Sequence, residues 1–146
     1  MLILVICGNV WVLWRQAQPR IQASPELEAG YRRLVRELLI WANLPAVVLA
    51  VGILSGGLPS MSTVIASPAP ANPFALAVHA AICWSFALAL FRLFNGGAEF
   101  LATHPSWLTM QGTNPTYIKL VWSVLLGLNL VTESIRLFET AAALLS

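Results

Sequence analysis

Four stretches of this chain, residues 2–14, 38–54, 74–94 and 117–131, are apolar almost without interruption. Runs of this kind constrain the fold more than any motif does. A backbone threaded through apolar surroundings must satisfy its own N–H and C=O groups, and a helix does so within one segment. Charge is scarce around them: 10% of the 146 residues are charged and 58% are hydrophobic, against about 25% charged in a soluble domain. The mean hydropathy is +0.77. Lipid is the solvent that such a surface fits, and one domain suffices for the length.

The sequence therefore predicts an all-α integral membrane bundle of four transmembrane helices. The spans are expected at about 2–17, 36–56, 73–94 and 117–140, with loops at 18–35, 57–72 and 95–116. The first run covers only about 20 Å at 1.5 Å per residue, short of the ~30 Å hydrocarbon core. Arg15 snorkelling to the headgroups, with Trp11 and Trp14 at the interface, would complete a short span. A signal peptide is disfavoured, since no basic segment precedes the run and no small-residue cleavage site follows it. A start upstream of Met1 is the competing possibility.

Residues 19–24 read as a linker. Ser24–Pro25–Glu26 then gives a capping hydroxyl, a proline at the first helical position and an acid near the positive dipole end. The helix it opens carries Glu28, Arg32, Arg33, Arg36 and Glu37 before entering the apolar run, so the second helix extends beyond the membrane. Pro45 predicts a kink, because it lacks a donor and crowds the preceding turn. Gly56–Gly57–Leu58–Pro59 ends this helix, and an uncharged Pro/Ser/Thr/Ala-rich loop follows. Asn72–Pro73 starts the third helix, Asn95–Gly96–Gly97 breaks it, and residues 98–104 form a short interfacial turn. Thr116–Tyr117 opens the fourth.

Orientation follows from the basic residues. Arg15, Arg20, Arg32, Arg33 and Arg36 lie in or beside the first loop, none lies in the second, and Arg92 and Lys119 flank the third. By the positive-inside rule the first and third loops are cytoplasmic, and the 57–72 loop and both termini lie outside. Arg136 weakly dissents. A bacterial-type inner membrane, or another energy-transducing one, is the expected location.

Small residues recur every four positions: Ala77, Ala81, Ser85 and Ala89 in the third span, Ala42, Ala46 and Ala50 in the second, then Gly52 and Gly56 at GxxxG spacing. Ser123 and Gly127 extend the pattern to the fourth. Such faces let helices approach closely in lipid, although alanine is also simply common in apolar helices.

Few polar residues fall at depth. His79 is the histidine within a span. An imidazole there could ligate haem or a chlorophyll-type pigment, or it could bond to a neighbouring backbone or side chain. A bis-histidine haem lacks its second ligand, because His104 falls in the opposite loop. Asn129, Glu133, Arg136 and Thr140 share one face of the fourth span. Glu133 and Arg136 are three apart and can pair, either as an ion path or as a stripe emerging into the headgroups. Asn9 and Asn43 suit interhelical hydrogen bonds, Arg92 and Glu99 an ion pair across the glycine break, and Trp84 a neighbouring helix. Trp14, Trp41, Trp107 and Tyr117 suit an inner aromatic belt. The Arg32–Arg33–Arg36 cluster could meet anionic headgroups.

Cys7 and Cys83 lie inside apolar runs and read as small hydrophobes. There is no Cys/His metal motif, no Gly-rich phosphate loop, no HExxH and no GxSxG, so the sequence offers no catalytic or metal site. A net charge of +2 does not suggest nucleic acid. In layout the chain resembles small bacterial four-span proteins of the CopD-like kind. The shared points are a glycine and aromatics in span one, Tyr31–Arg32–Arg33 opening span two, and a glycine near that span's end. The histidines and methionines expected for copper handling are not matched: span one has no histidine, and Met61 and Met110 lie in loops. The expected role is a non-catalytic accessory or structural subunit whose partners are the bilayer and other membrane subunits or copies of itself. The alternatives are a cofactor-bearing electron-transfer or light-harvesting component using His79, and a small transporter or channel component using Glu133 and Arg136.

Overall fold

The computed structural model describes residues 2–66, 70–109 and 113–146; Met1, residues 67–69 of the Pro/Ser-rich loop and residues 110–112, Met110 among them, lie outside these. The described residues are all-helical, with six α-helices: α1 (Leu2–Ala23), α2 (Glu28–Leu54), α3 (Met61–Val64), α4 (Pro73–Arg92), α5 (Ala98–Thr103) and α6 (Pro115–Leu145). Three helices are long and apolar enough to cross a membrane, counted with the turns that adjoin them: Pro25–Leu54, Pro73–Thr103 and Pro115–Leu145. Only 11%, 17% and 6% of their most apolar stretches is buried within the protein, so most of that surface needs an apolar surrounding.

Local chemistry sets the helix ends. Asn72 caps α4, its Oδ1 accepting from the N–H groups of Phe74 (2.9 Å) and Ala75 (3.1 Å), with Pro73 where no donor is needed. Asn114 caps α6 in the same way, accepting from Thr116 N–H at 2.9 Å. Ser24 does not act as its position suggests: its side chain makes no capping bond. Its backbone carbonyl instead accepts from Leu27 N–H at 3.1 Å, and α2 is entered through a tight turn at Pro25–Leu27.

The expected linker at 19–24 is largely helix, since α1 continues through Pro19 to Ala23. Packing explains this. Leu13 and Ala17 are fully buried against Tyr31, with Trp14, Ile21, Leu27 and Leu34 around them. That contact favours helix beyond a proline which forfeits one hydrogen bond.

Helix α2 runs through Pro45 without interruption. Proline at 45 cannot donate to the carbonyl of Trp41, one turn back. That carbonyl instead lies 3.2 Å from the Ser85 hydroxyl of α4, which also lies 2.9 Å from Ala81 O. One proton serves both acceptors, and Ser85 joins two helices through the gap the proline leaves.

The principal packing follows chain order: α1 on α2, α2 on α4, α4 on α6, with α5 on α6. Buried apolar residues fall into three clusters. One joins Leu58, Val64, Ala75 and Val78, a second Leu13, Ala17 and Tyr31, and a third Leu93, Ala98 and Ile118.

The Gly52/Gly56 pair divides into two roles. Gly52 is buried, and a Cβ on it would lie 2.7 Å from Leu58 Cδ1 and 3.2 Å from Phe74. Gly56 packs on nothing: it ends the helix at φ +75° with open space around its Cα, a conformation that disfavours a side chain. Its neighbour Gly57 makes the close contact, since a Cβ there would sit 2.2 Å from the Phe74 ring. The expected break at Asn95–Gly96–Gly97 is present as one wide turn, Leu93–Gly97, with Gly96 at φ +87°.

Candidate functional site

His79 lies in the second turn of α4, whose first turn is fixed by the Asn72 cap. The same asparagine's Nδ2 donates to Gly57 O at 2.8 Å, which draws the α2–α4 connection against the start of α4. Leu58 and Val64 then fill the space over Ala75 and Val78. The turn of α3 brings its last carbonyl, Val64 O, to 3.1 Å from His79 Nε2. On the other side of the ring, Nδ1 meets Glu133 Oε2 of α6 at 2.8 Å. His79 is 2% exposed, and the Glu133 side chain is 22% exposed. Three elements remote in sequence thus converge on one imidazole. A carbonyl can only accept, so Nε2 carries a hydrogen.

The expected polar stripe on α6 does not act as a unit. Asn129 is exposed and donates to Leu125 O of its own helix at 2.8 Å. Glu133 is directed at His79, so the expected Glu133–Arg136 pair is not formed; among the described residues no ion pair of Arg136 is seen. Thr140 is fully buried, with its hydroxyl unpartnered. The small-residue face of α4 is also rotated from its expected position. Ala77 is exposed, Ala81, Ser85 and Ala89 are half-buried, and the fully buried residues near the helix start are Ala75, Val78 and His79. Of the other alanines, Ala46 is buried and Ala42 and Ala50 are half-buried, while a Cβ on Gly127 would meet nothing.

Further expectations need correction. Asn43 bonds within its own helix, to Leu39 O at 2.6 Å, and its Oδ1 is buried without a partner. Asn9 is exposed. Trp84, expected against a neighbouring helix, is 60% exposed. Arg92 and Glu99 do not pair. The wide turn at Leu93–Gly97 carries Glu99 round to Lys119 of α6 at 2.6 Å, and Arg92 pairs with Glu37 of α2 at 2.5 Å. Glu37 and Arg92 bracket 54 residues without a charged side chain, and their contact ties both ends of that stretch together. Arg32 and Arg33 are engaged by Glu28 and Glu37, one turn away on α2.

The second histidine lies in the cluster at the arginine-rich end. His104 Nδ1 is 2.9 Å from Phe100 O and 3.0 Å from Thr103 Oγ1. Its ring stacks on Phe100 at 4.3 Å and meets the edge of Tyr31 at 5.1 Å. Tyr31 donates to Pro105 O at 2.9 Å. Gly30 makes this approach possible, since a Cβ there would lie 1.8 Å from His104 Nε2.

Among the described residues no group of three or more His, Cys, Asp or Glu side chains is placed to hold a metal ion. Sequence reasoning missed two partners of His79. The Val64 carbonyl is a backbone atom and leaves no signal in the sequence. Glu133 left one: with Arg136 and Glu139, it is among the few charged residues in the second half of α6. No protein-family model, curated protein or solved structure matches the chain, and the CopD-like likeness of layout gains no support from them.

Proposed function

We propose that this is a non-catalytic integral membrane protein, a structural or accessory subunit of a membrane complex. The observation that carries this reading is the use of both His79 nitrogens inside the fold. The one imidazole at depth spends its bonding capacity on joining α4 to α6 and to the α3 turn. Ligating a haem or pigment would require breaking one of those bonds. Meanwhile α6 presents Leu120, Val124, Leu128, Val131, Ile135 and Phe138 outward, an apolar stripe that suits lipid or a partner's helix.

In this reading α1 is the fourth span. Its apolar part, residues 2–14, reaches about 20 Å at 1.5 Å each, and Arg15 lies over Trp11 at 5.3 Å, as a snorkelling side chain completing a short span would. The arginine-rich end, where Tyr31, Glu37 and His104 cluster, faces the cytoplasm, and both termini and the α2–α4 connection lie outside. A bacterial-type inner membrane, or another energy-transducing membrane, is the location that goes with it. Extraction of the native membrane in mild detergent tests the reading: the chain is expected in an assembly larger than one copy, and a stable lone monomer counts against it. Reporter fusions at either terminus test the orientation.

One observation favours a second reading, a small transporter or channel component. Glu133 faces another titratable group across the α4–α6 contact, and Arg136 lies one turn further on. Proteoliposome flux abolished by Glu133→Gln would support this reading, and flux indifferent to that change would remove it. An absorption spectrum without a Soret or pigment band would remove the cofactor-bearing alternative.

A further inference from the structure

We infer that His79 and Glu133 form a one-proton latch holding the α2–α4 connection and α6 on α4, released when the pair loses that proton. Val64 O accepts from Nε2 at 3.1 Å, so Nε2 bears a hydrogen and the neutral ring's lone pair is on Nδ1. Nδ1 and Glu133 Oε2 are 2.8 Å apart, a contact that needs one proton between them. That proton belongs either to a carboxylic acid donating to a neutral imidazole or to an imidazolium donating to a carboxylate. Both descriptions place the same atoms in the same positions, and both give a pair of zero net charge.

Losing that proton breaks a bond. Removing the bridging proton sets the Nδ1 lone pair against a carboxylate, two acceptors facing each other. Moving the ring hydrogen from Nε2 to Nδ1 repairs the Glu133 bond, but then turns a lone pair on Val64 O. Deprotonation therefore releases either α6 or the α3 turn. Adding a proton releases nothing: with the acid hydrogen on Oε1, Oε2 still accepts from the Nδ1–H of the imidazolium. Burial sharpens the choice, because an unpartnered polar group is costly away from water.

Other titratable groups nearby are few. Cys83 lies one turn along α4, its Sγ 3.9 Å from Ser134 Oγ. Helix α6 adds Arg136 and Glu139. Residues 38–66, covering the apolar part of α2 and the α3 turn, contain no charged residue, histidine or cysteine.

The test uses the full chain in lipid nanodiscs. Hydrogen–deuterium exchange of two peptides, residues 58–66 around the α3 turn and residues 128–140 of α6, normalised to the intrinsic chemical rate, is followed from about pH 4 to about pH 10, which spans carboxyl, imidazole and thiol titration. Protection of at least one of the two peptides should fall about tenfold or more on the alkaline side, the scale of losing a charge-assisted bond. In Glu133→Gln an amide N–H donates to Nδ1 and there is no bridging proton to lose, so the alkaline fall should vanish. In Cys83→Ala it should persist. A wild-type profile flat in pH for both peptides overturns the latch, as does an alkaline fall unchanged in Glu133→Gln or abolished in Cys83→Ala. ¹⁵N-histidine NMR of the wild type provides a readout independent of any variant's folding. The His79 ring signals should shift over the same pH interval as the loss of protection; a loss with unshifted signals also overturns the proposal.

Discussion

The two histidines of this chain sit in opposite kinds of surroundings and are held by opposite means. His79 is bonded outward, to a carbonyl 15 residues away and a carboxylate 54 residues away. His104 bonds to its own turn, at Phe100 and Thr103, and is otherwise held by shape: a ring stacked on Phe100, an edge to Tyr31 and a glycine cleared for its Nε2. Both are buried, at 2% and 9% exposure. In an apolar stretch a polar group must find a partner wherever one can be brought, so His79 becomes a link between elements. Near charges and water such a partner is less needed, and His104 becomes a packing unit.

The largest expected effect attacks the link. His79→Leu leaves Glu133 and Val64 O facing an apolar side chain, and should destabilise detergent-solubilised protein by about 3 kcal/mol in denaturant unfolding, the lower range for breaking a buried pair. Pairing it with Glu133→Leu should recover most of that loss, since apolar replacement of both partners is often neutral. A double variant no better than His79→Leu alone would mean that the pair's bonding is not what holds α4 to α6. Next comes the shape-held histidine. Gly30→Ala places a methyl where His104 Nε2 stands and should cost about 1–3 kcal/mol as overpacking. His104→Ala in that background should relieve it, whereas equal costs in either background would remove the close approach as the cause. Smallest is the exposed ion pair between the two regions. Arg92→Gln should change stability by about 1 kcal/mol or less, and any difference from wild type should shrink in high salt.

Helix boundaries were the most legible part of the sequence, because caps and breaks are local. Asn72–Pro73 and Asn95–Gly96–Gly97 act as their residue types dictate. Helix rotation was not legible. In a segment apolar on every side, alanine spacing does not say which face meets a neighbour, so Ala77 is exposed while Ala75 is buried, and Trp84 points outward. The continuation of α1 past Pro19 was hidden for a related reason, since it depends on Tyr31 packing over Leu13 and Ala17. At the candidate site, the sequence singled out His79 and Glu133 separately. Their partnership needed the α4–α6 contact and the folding of the α3 turn, neither of which has a residue pattern. Ser85 shows the same limit: its place in a small-residue repeat was visible, but its service to the carbonyl stranded by Pro45 was not.

The pairing of Glu37 with Arg92 has a consequence beyond stability. These residues close a hairpin of 54 positions with no Asp, Glu, Lys or Arg. An electric field across a membrane does work of about 2.3 kcal/mol per elementary charge per 100 mV. Placed across a membrane, a hairpin of this kind presents the field with nothing to pull on while His79 is neutral. Voltage gains a handle there when the proton shared with Glu133 resides on the His79 ring.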